Sequence, residues 1–385
     1  MLKIIADNAI PFVERFFSRI GEVNLVDGRK IFAETIKGAD VLVCRTVTKV
    51  NAQLLQNSAI CIVASPTSGF DHVDLNYLQQ QSITFVSAPG SNARSVAEYV
   101  LSALFVLADQ NAFDLTDKTV GIIGCGKVGS EVRDFFQAIG ITSQVYDPIL
   151  QESSDSNDYC ELADIQAADI ITLHVPLTTD GAYPTLRMLD ARFFHDLKED
   201  VILINTARGQ VLDETDFKKF LLLNPQAMAV VDVWENEPAI DAALLLRADI
   251  ATSHIAGYSM DGKLRATQMV FDKVCESLNI NNDYEGQQTI FPMDRSREIS
   301  LSHDQKDIDA ISMAVLASYD VRSDAAALRR ILEDNVEDRS SYFDDLRNNY
   351  PIRREFSSLG IALTKEAKSL RQMLLTLGFR LTDAI

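Results

Sequence analysis

The 385-residue sequence has no apolar run long enough to cross a bilayer. Its most apolar stretch, residues 99–108, falls well short of the roughly 20 residues a spanning helix needs. The opening MLKIIAD lacks the long apolar stretch of a signal peptide. Cysteine is scarce: Cys44, Cys61, Cys125, Cys160 and Cys275 are scattered, odd in number and without C-x-x-C spacing. That pattern speaks against a zinc site or a disulfide framework and fits a reducing cytoplasm. Positive charge is also short. Lys and Arg total 36 against 55 Asp and Glu, for a formal net charge of −19. No broad basic surface is available for nucleic acid or an anionic membrane, so neither is expected as a partner. A small anionic ligand stays possible, because a few local Arg residues suffice to hold one. Internal repeats and low-complexity tracts are absent.

What is present is α/β patterning. Residues 2–6, 41–44, 60–64 and 84–87 are short apolar runs with the look of buried parallel strands, each followed by a turn or helix. Together they predict one doubly wound lobe. A helix capped by Ser91 or Asn92 and running to about Ala108 is apolar nearly all round, as expected of a buried crossing into a second lobe. The second series has predicted strands at 119–123, 143–147, 169–174, 201–205, 228–232 and 249–252. A helix over about 261–279 returns the chain to the first lobe. The polar stretch 279–287 marks a boundary, and residues from about 290 to 385 are expected to form a smaller α+β unit.

The strongest local motif is Gly124-Cys-Gly126-Lys127-Val128-Gly129, directly after a strand and opening a helix. In a G-x-G-x-x-G turn the first glycine permits the tight bend and the second lets a pyrophosphate approach the backbone. The third allows helix and strand to pack, and the helix N-terminus favours the phosphate charge. Alone, such a cluster also marks ordinary strand–helix turns. Asp147, at the end of the next strand, strengthens the dinucleotide reading. A carboxylate there can hold the adenosine ribose hydroxyls and repel the extra phosphate of NADP, although an Asp there can also simply cap a helix.

Three later segments fall at strand ends, where ligands gather in open α/β sheets. In Asn205-Thr206-Ala207-Arg208-Gly209 the Arg is suited to clamp a carboxylate through its planar fork, though a single strand-end Arg is more often a surface ion-pair residue. The segment from Asp232 to Pro238 puts Asp232 and Glu237 in one short loop. Ser253-His254-Ile255-Ala256-Gly257-Tyr258 places a histidine at a strand end. Acid–base chemistry at such a site needs a group that takes a proton near neutral pH, which a histidine can do. A carboxylate beside it favours imidazolium and fixes the ring, and Glu237 is the best candidate. The other histidines, His72, His174, His195 and His303, lack that setting.

Taken together, these motifs resemble the D-isomer-specific 2-hydroxyacid dehydrogenases, in the family's order and spacing over roughly residues 1–285. The resemblance implies a Rossmann NAD-binding domain (93–261) inserted in a flavodoxin-like substrate-binding domain (1–92 and 262–285). It also implies Arg208, Glu237 and His254 as the catalytic set. NAD would be held by Gly124, Gly126, Lys127, Val128, Gly129, Asp147, Val175, Thr206, Ala207, Asp232 and Gly257, with no metal. Asp232 would orient the nicotinamide carboxamide.

One branch fits more closely, through the segments 43–50, 69–74, 254–258 and 262–265. In the tail, Tyr319-Asp-Val-Arg322 and Phe343 to Tyr350, continuing to Arg353-Arg354-Glu355, are similar to that branch's C-terminal dimerisation domain, here 290–385. That likeness implies a homodimer. Its implied reaction is NAD-dependent oxidation of 4-phospho-D-erythronate to 3-hydroxy-2-oxo-4-phosphooxybutanoate, in vitamin B6 synthesis. The small phosphorylated hydroxy acid would meet Arg45, Thr46, Thr67, Ser68, Gly69 and Tyr258. Arg94 and Pro66 depart from the pattern. A 3-phosphoglycerate dehydrogenase and a non-enzymatic, NAD-sensing corepressor-like protein are the alternatives.

Overall fold

The computed structural model describes residues 1–153, 158–282, 297–302, 306–333, 338–364 and 367–382. The first lobe contains β1 (Leu2–Asp7), β2 (Gly21–Val26), β3 (Val41–Val43), β4 (Ile62–Ser65) and β5 (Thr84–Ser87), all parallel in the order β2-β1-β3-β4-β5. Strands β3 and β4 are buried at every residue, as expected of strands covered on both faces. Strand β2 has no counterpart in the sequence reading. It lies at the sheet edge, no residue in it is fully buried, and its sequence GEVNLV has no continuous apolar run to betray it. The helix Met260–Ser277, capped by Ser259 Oγ accepting from the Gly262 amide at 2.8 Å, covers this sheet with Leu264, Val270, Phe271 and Val274. Its Phe271 ring meets Phe16 and Phe17 at centroid distances of 5.5 and 5.3 Å. Met1–Asn92 and the segment beginning at Ser259 form one compact unit.

Ala93–Tyr258 and the described C-terminal residues form the other unit. Its six parallel strands are β6 (Val120–Ile123), β7 (Ser143–Tyr146), β8 (Ile170–Leu173), β9 (Ile202–Asn205), β10 (Met228–Val231) and β11 (Ile250–Ala251), in the order β11-β10-β9-β8-β6-β7. The helix Ala93–Asn111 is buried from Ser95 to Leu107, as its all-round apolar sequence requires.

The C-terminal segment has its own parallel sheet, with β12 (Glu298–Leu301), β13 (Gly360–Leu363) and β14 (Arg380–Thr382) in that order. Its core is nevertheless continuous with that of the six-stranded lobe. Leu104, Val132 and Phe135 share one hydrophobic cluster with Phe356, Leu370 and Leu374. The Phe135 and Phe356 rings stack at 6.1 Å, and Phe356 stacks on Phe379 at 4.6 Å. This segment also accounts for Arg94, whose guanidinium donates to Glu131 Oε1 at 3.1 Å and to the Leu377 carbonyl. Pro66 lies in a tight turn in which the Thr67 amide donates to the Ser65 carbonyl at 2.8 Å.

Candidate active site

The glycine loop joins β6 to the helix Lys127–Ala138. Gly124 adopts φ +88°, where a side chain is strained, and a Cβ there would also press on Val175 at 2.7 Å. A Cβ on Gly129 would collide with the Gly124 carbonyl. Gly126 differs from both, since a Cβ there would meet nothing within 4 Å and its φ is an ordinary −67°. No contact with a described residue demands a glycine at 126, so the space above it is suited to a ligand. Gly126 is also the helix N-cap and offers no side chain to the first amides, while Gly126 and Lys127 are exposed. These features fit a dinucleotide pyrophosphate.

Asp147 does cap the short helix Pro148–Glu152, with Oδ1 accepting from the Leu150 amide at 3.1 Å. Its Oδ2 accepts from the Cys125 amide at 2.8 Å, which ties the end of β7 to the glycine loop. Each oxygen retains a second lone pair for a ribose hydroxyl.

Asn205, at the end of β9, organises the Arg208 turn. Its Oδ1 accepts from the Ala207 amide at 3.0 Å, and its Nδ2 donates to the Arg208 carbonyl at 3.0 Å. The Arg208 guanidinium donates to the Ala207 carbonyl at 2.8 Å and stays half-buried. A Cβ on Gly209 would collide with the Trp234 backbone, so that glycine lets the Arg208 turn lie directly against the Glu237 loop. Thr206 Oγ1 stands 3.4 Å from His174 Nδ1, and His174 Nε2 is 2.9 Å from Thr172 Oγ1. Burial pushes His174 down to about 3, so it links β8 and β9 as a neutral ring and does not titrate near neutrality.

His254 and Glu237 meet as expected, with Nδ1 2.7 Å from Oε2. The other Glu237 oxygen accepts from the Trp234 amide at 2.9 Å. Burial raises the Glu237 pKa, but the opposing pull of His254, its hydrogen bond, the Trp234 amide and Arg347 leaves it below the usual range. The carboxylate is therefore charged when the imidazole needs it. His254 itself has φ +58°, a left-handed conformation costing roughly 1–2 kcal/mol for a residue with a side chain. The loop holds it there: the His254 amide donates to the Asp232 carbonyl at 2.7 Å.

Asp232, expected at the nicotinamide, is fully buried and engaged with the same loop. Oδ1 accepts from Thr252 Oγ1 at 2.6 Å and from the Ile255 amide at 2.8 Å; Oδ2 accepts from the Ala256 amide at 3.0 Å. Its evident work is to shape the turn that presents His254.

The expected substrate residues divide between the units. In the first, Arg45 forms a forked contact with buried Asp7, through Nε at 2.7 Å and Nη2 at 3.3 Å, and Thr46 is exposed beside it. Thr67 Oγ1 donates to the Gly69 carbonyl at 2.7 Å, and Ser68 Oγ donates to Asn92 Oδ1 at 2.7 Å. In the second, Tyr258 follows the His254 turn through Gly257 and accepts from Arg347 Nη2 at 3.0 Å. Of the remaining histidines, His72 is pushed down to about 4, chiefly by burial, and His195 ends an exposed helix terminus. His303 lies outside the described residues.

Residues 99–256 match the family described as "D-isomer specific 2-hydroxyacid dehydrogenase, NAD binding domain". Residues 290–378 match a "Domain of unknown function (DUF3410)". The chain is 40% identical over 379 residues to the erythronate-4-phosphate dehydrogenase of Escherichia coli K12, covering 98% of each. It is 39% identical over 381 residues to that of Marinobacter nauticus, covering 98% of this chain and 99% of the relative.

The chain belongs to the erythronate-4-phosphate dehydrogenase family.

Like other members of the D-isomer-specific 2-hydroxyacid dehydrogenases, it is an NAD-dependent oxidoreductase. Solved structures support the fold. The NAD+-bound 3-phosphoglycerate dehydrogenase of Entamoeba histolytica aligns with TM-score 0.62 at 22% identity, over 72% of this chain and 95% of that one. The D-lactate dehydrogenase of Aquifex aeolicus aligns with TM-score 0.59 at 23% identity, over 72% and 95%. In this family member, sequence reasoning missed the residues that act behind the expected set. Asp7, Asn205 and Arg347 are examples. Asn205 stood inside a recognised motif, so its strand-end position was a usable signal. Asp7 is distant in sequence from Arg45 and gave none, and Arg347 stood inside the segment 343–350, whose resemblance pointed to dimerisation and not to Tyr258.

Proposed function

We propose that this protein oxidises the C2 hydroxyl of 4-phospho-D-erythronate, yielding 3-hydroxy-2-oxo-4-phosphooxybutanoate and NADH in vitamin B6 synthesis. The observation that carries this reading is the likeness to erythronate-4-phosphate dehydrogenases over nearly the whole chain, C-terminal segment included. The geometry supports the chemistry. His254 accepts the hydroxyl proton as general base, and Glu237, held by Trp234, stabilises the imidazolium that results. Arg208 binds the substrate carboxylate through its fork and polarises the developing carbonyl. When bound, NAD supplies the hydride acceptor.

The cofactor assignments follow the resemblance: Gly124, Gly126, Lys127, Val128 and Gly129 at the pyrophosphate, Asp147 at the ribose, and Val175, Thr206, Ala207, Asp232 and Gly257 toward the nicotinamide. Arg45, Thr46, Thr67, Ser68, Gly69 and Tyr258 are assigned to substrate. We further infer a homodimer built through the C-terminal segment and a cytoplasmic location, the latter supported by the scattered, unpaired cysteines. Among the described residues no helix is long and apolar enough to cross a membrane.

Incubating the enzyme with NAD+ and 4-phospho-D-erythronate tests the reading. NADH formation matched mole for mole by the 2-oxo acid in mass spectrometry is expected; absence of that product would overturn it.

A further inference from the structure

Arg347 sits in the last turn of the helix Arg339–Asn348, in the C-terminal segment. A basic residue there is often only a solvated partner of the helix dipole. Arg347 is not placed that way. Its side chain is half-buried, Nη2 donates to the Tyr258 hydroxyl at 3.0 Å, and its guanidinium centre lies 5.7 Å from the Tyr258 ring centroid. Its Nε is buried with no hydrogen-bond partner.

Two carboxylates, Glu237 and Asp232, are near enough for their charges to be felt at the guanidinium. Neither forms an ion pair with it among the described residues. Glu237 spends its oxygens on His254 and Trp234, and Asp232 spends its own on the 252–256 turn. Burying a guanidinium nitrogen such as Nε with no acceptor is costly unless an anion completes the set.

We propose that Arg347 is a substrate ligand: the C-terminal segment delivers it beside Tyr258 to bind an anionic oxygen of the hydroxy acid, from its phosphate or its carboxylate. This rests on the reading of Tyr258 as a substrate contact. It makes the segment part of the active site as well as a candidate dimer interface. A planar fork suits either tetrahedral phosphate or planar carboxylate, and Lys would supply the charge without the fork.

The test compares full-length wild type, Arg347→Gln and Arg347→Lys in steady-state kinetics, with inorganic phosphate as an inhibitor and probe. Loss of a charged hydrogen bond predicts a KM for 4-phospho-D-erythronate raised by about tenfold or more in Arg347→Gln. Phosphate inhibition should weaken by a similar factor where the phosphate is the group bound, kcat should change far less, and NADH affinity should hold. Arg347→Lys should fall between, and it serves alone if the Gln variant fails to fold. With D-erythronate as substrate, disappearance of the KM penalty assigns Arg347 to the phosphate, and its persistence assigns it to the carboxylate. Unchanged KM and phosphate inhibition would overturn the proposal. So would a change confined to kcat and its pH profile, which would make Arg347 a positioning residue acting through Tyr258 or Glu237. If wild type turns over neither acid, the substrate reading fails separately. Quenching of NADH fluorescence by phosphate and by oxalate, a dicarboxylate, then still decides Arg347: weaker binding of either anion in the Gln variant upholds it, and equal binding of both overturns it.

Discussion

At the scale of single residues, the chemistry concentrates on His254. Two other histidines of the described chain, His72 and His174, are held neutral by burial. His254 instead keeps partial exposure and a carboxylate at 2.7 Å. Replacing it with Ala removes the general base, and kcat should fall by about 10²–10⁴-fold with NADH affinity retained. Near-normal turnover in a folded His254→Ala enzyme would reassign the base. Glu237→Gln probes the pair more finely. His254 and the hydrogen bond it makes help hold the Glu237 pKa below the usual range, so the carboxylate is charged during turnover and can stabilise the charge the ring gains with the substrate proton. A neutral amide keeps the shape without that charge, so kcat should fall by about tenfold or more while NADH affinity holds. An unchanged kcat would mean that Glu237 only orients the ring.

At the scale of elements, the site is built where strands end and turns lean on one another. The ends of β8, β9, β10 and β11 carry His174, Asn205, Asp232 and Ser253, and each turn is tied to the next. Gly209 is the tightest of these joints, because any Cβ would strike the Trp234 backbone. Gly209→Ala should therefore cost about 1–3 kcal/mol of stability by overpacking and should lower kcat by displacing Arg208. Thermal unfolding and steady-state kinetics on the purified variant check both; an unchanged melting temperature and rate would show that the turns yield freely.

Much of this scale was legible in the sequence, for a physical reason. Buried parallel strands such as β4, β6, β8 and β9 are short continuous apolar runs, and their boundaries fell within about a residue or two of expectation. Edge strand β2 has no such run and could not be read. The shared core of Phe135, Phe356 and Phe379 was equally invisible, because periodicity shows that a helix face is apolar without showing what covers it. Asp232 was expected as a cofactor contact, and only its three donors reveal that it shapes the His254 turn.

At the scale of the whole molecule, the C-terminal segment is bound into the NAD-binding lobe by that shared core and by Arg353, which donates to the Ala256 carbonyl at 3.0 Å. Deleting it would strip cover from Phe135 and Leu104, so truncation is a poor probe of assembly. Sedimentation of the intact chain is the cleaner measurement. A dimer gives twice the 42.7 kDa chain mass, and a species of single-chain mass at micromolar concentration would remove the dimer assignment.

The central claim is the choice of substrate. 4-Phospho-D-erythronate and 3-phosphoglycerate share a carboxylate, a C2 hydroxyl and a terminal phosphate, and differ by one hydroxylated carbon between the reacting centre and the phosphate. A site that buries a polar partner for the extra hydroxyl rejects the shorter acid strongly, because that partner is left unpaired. Thr46, Thr67 and Tyr258 are the candidate partners. The decisive measurement is kcat/KM for the two acids with NAD+ under one set of conditions. A preference for the four-carbon acid well above about tenfold is predicted; equal values or a preference for 3-phosphoglycerate would contradict the account.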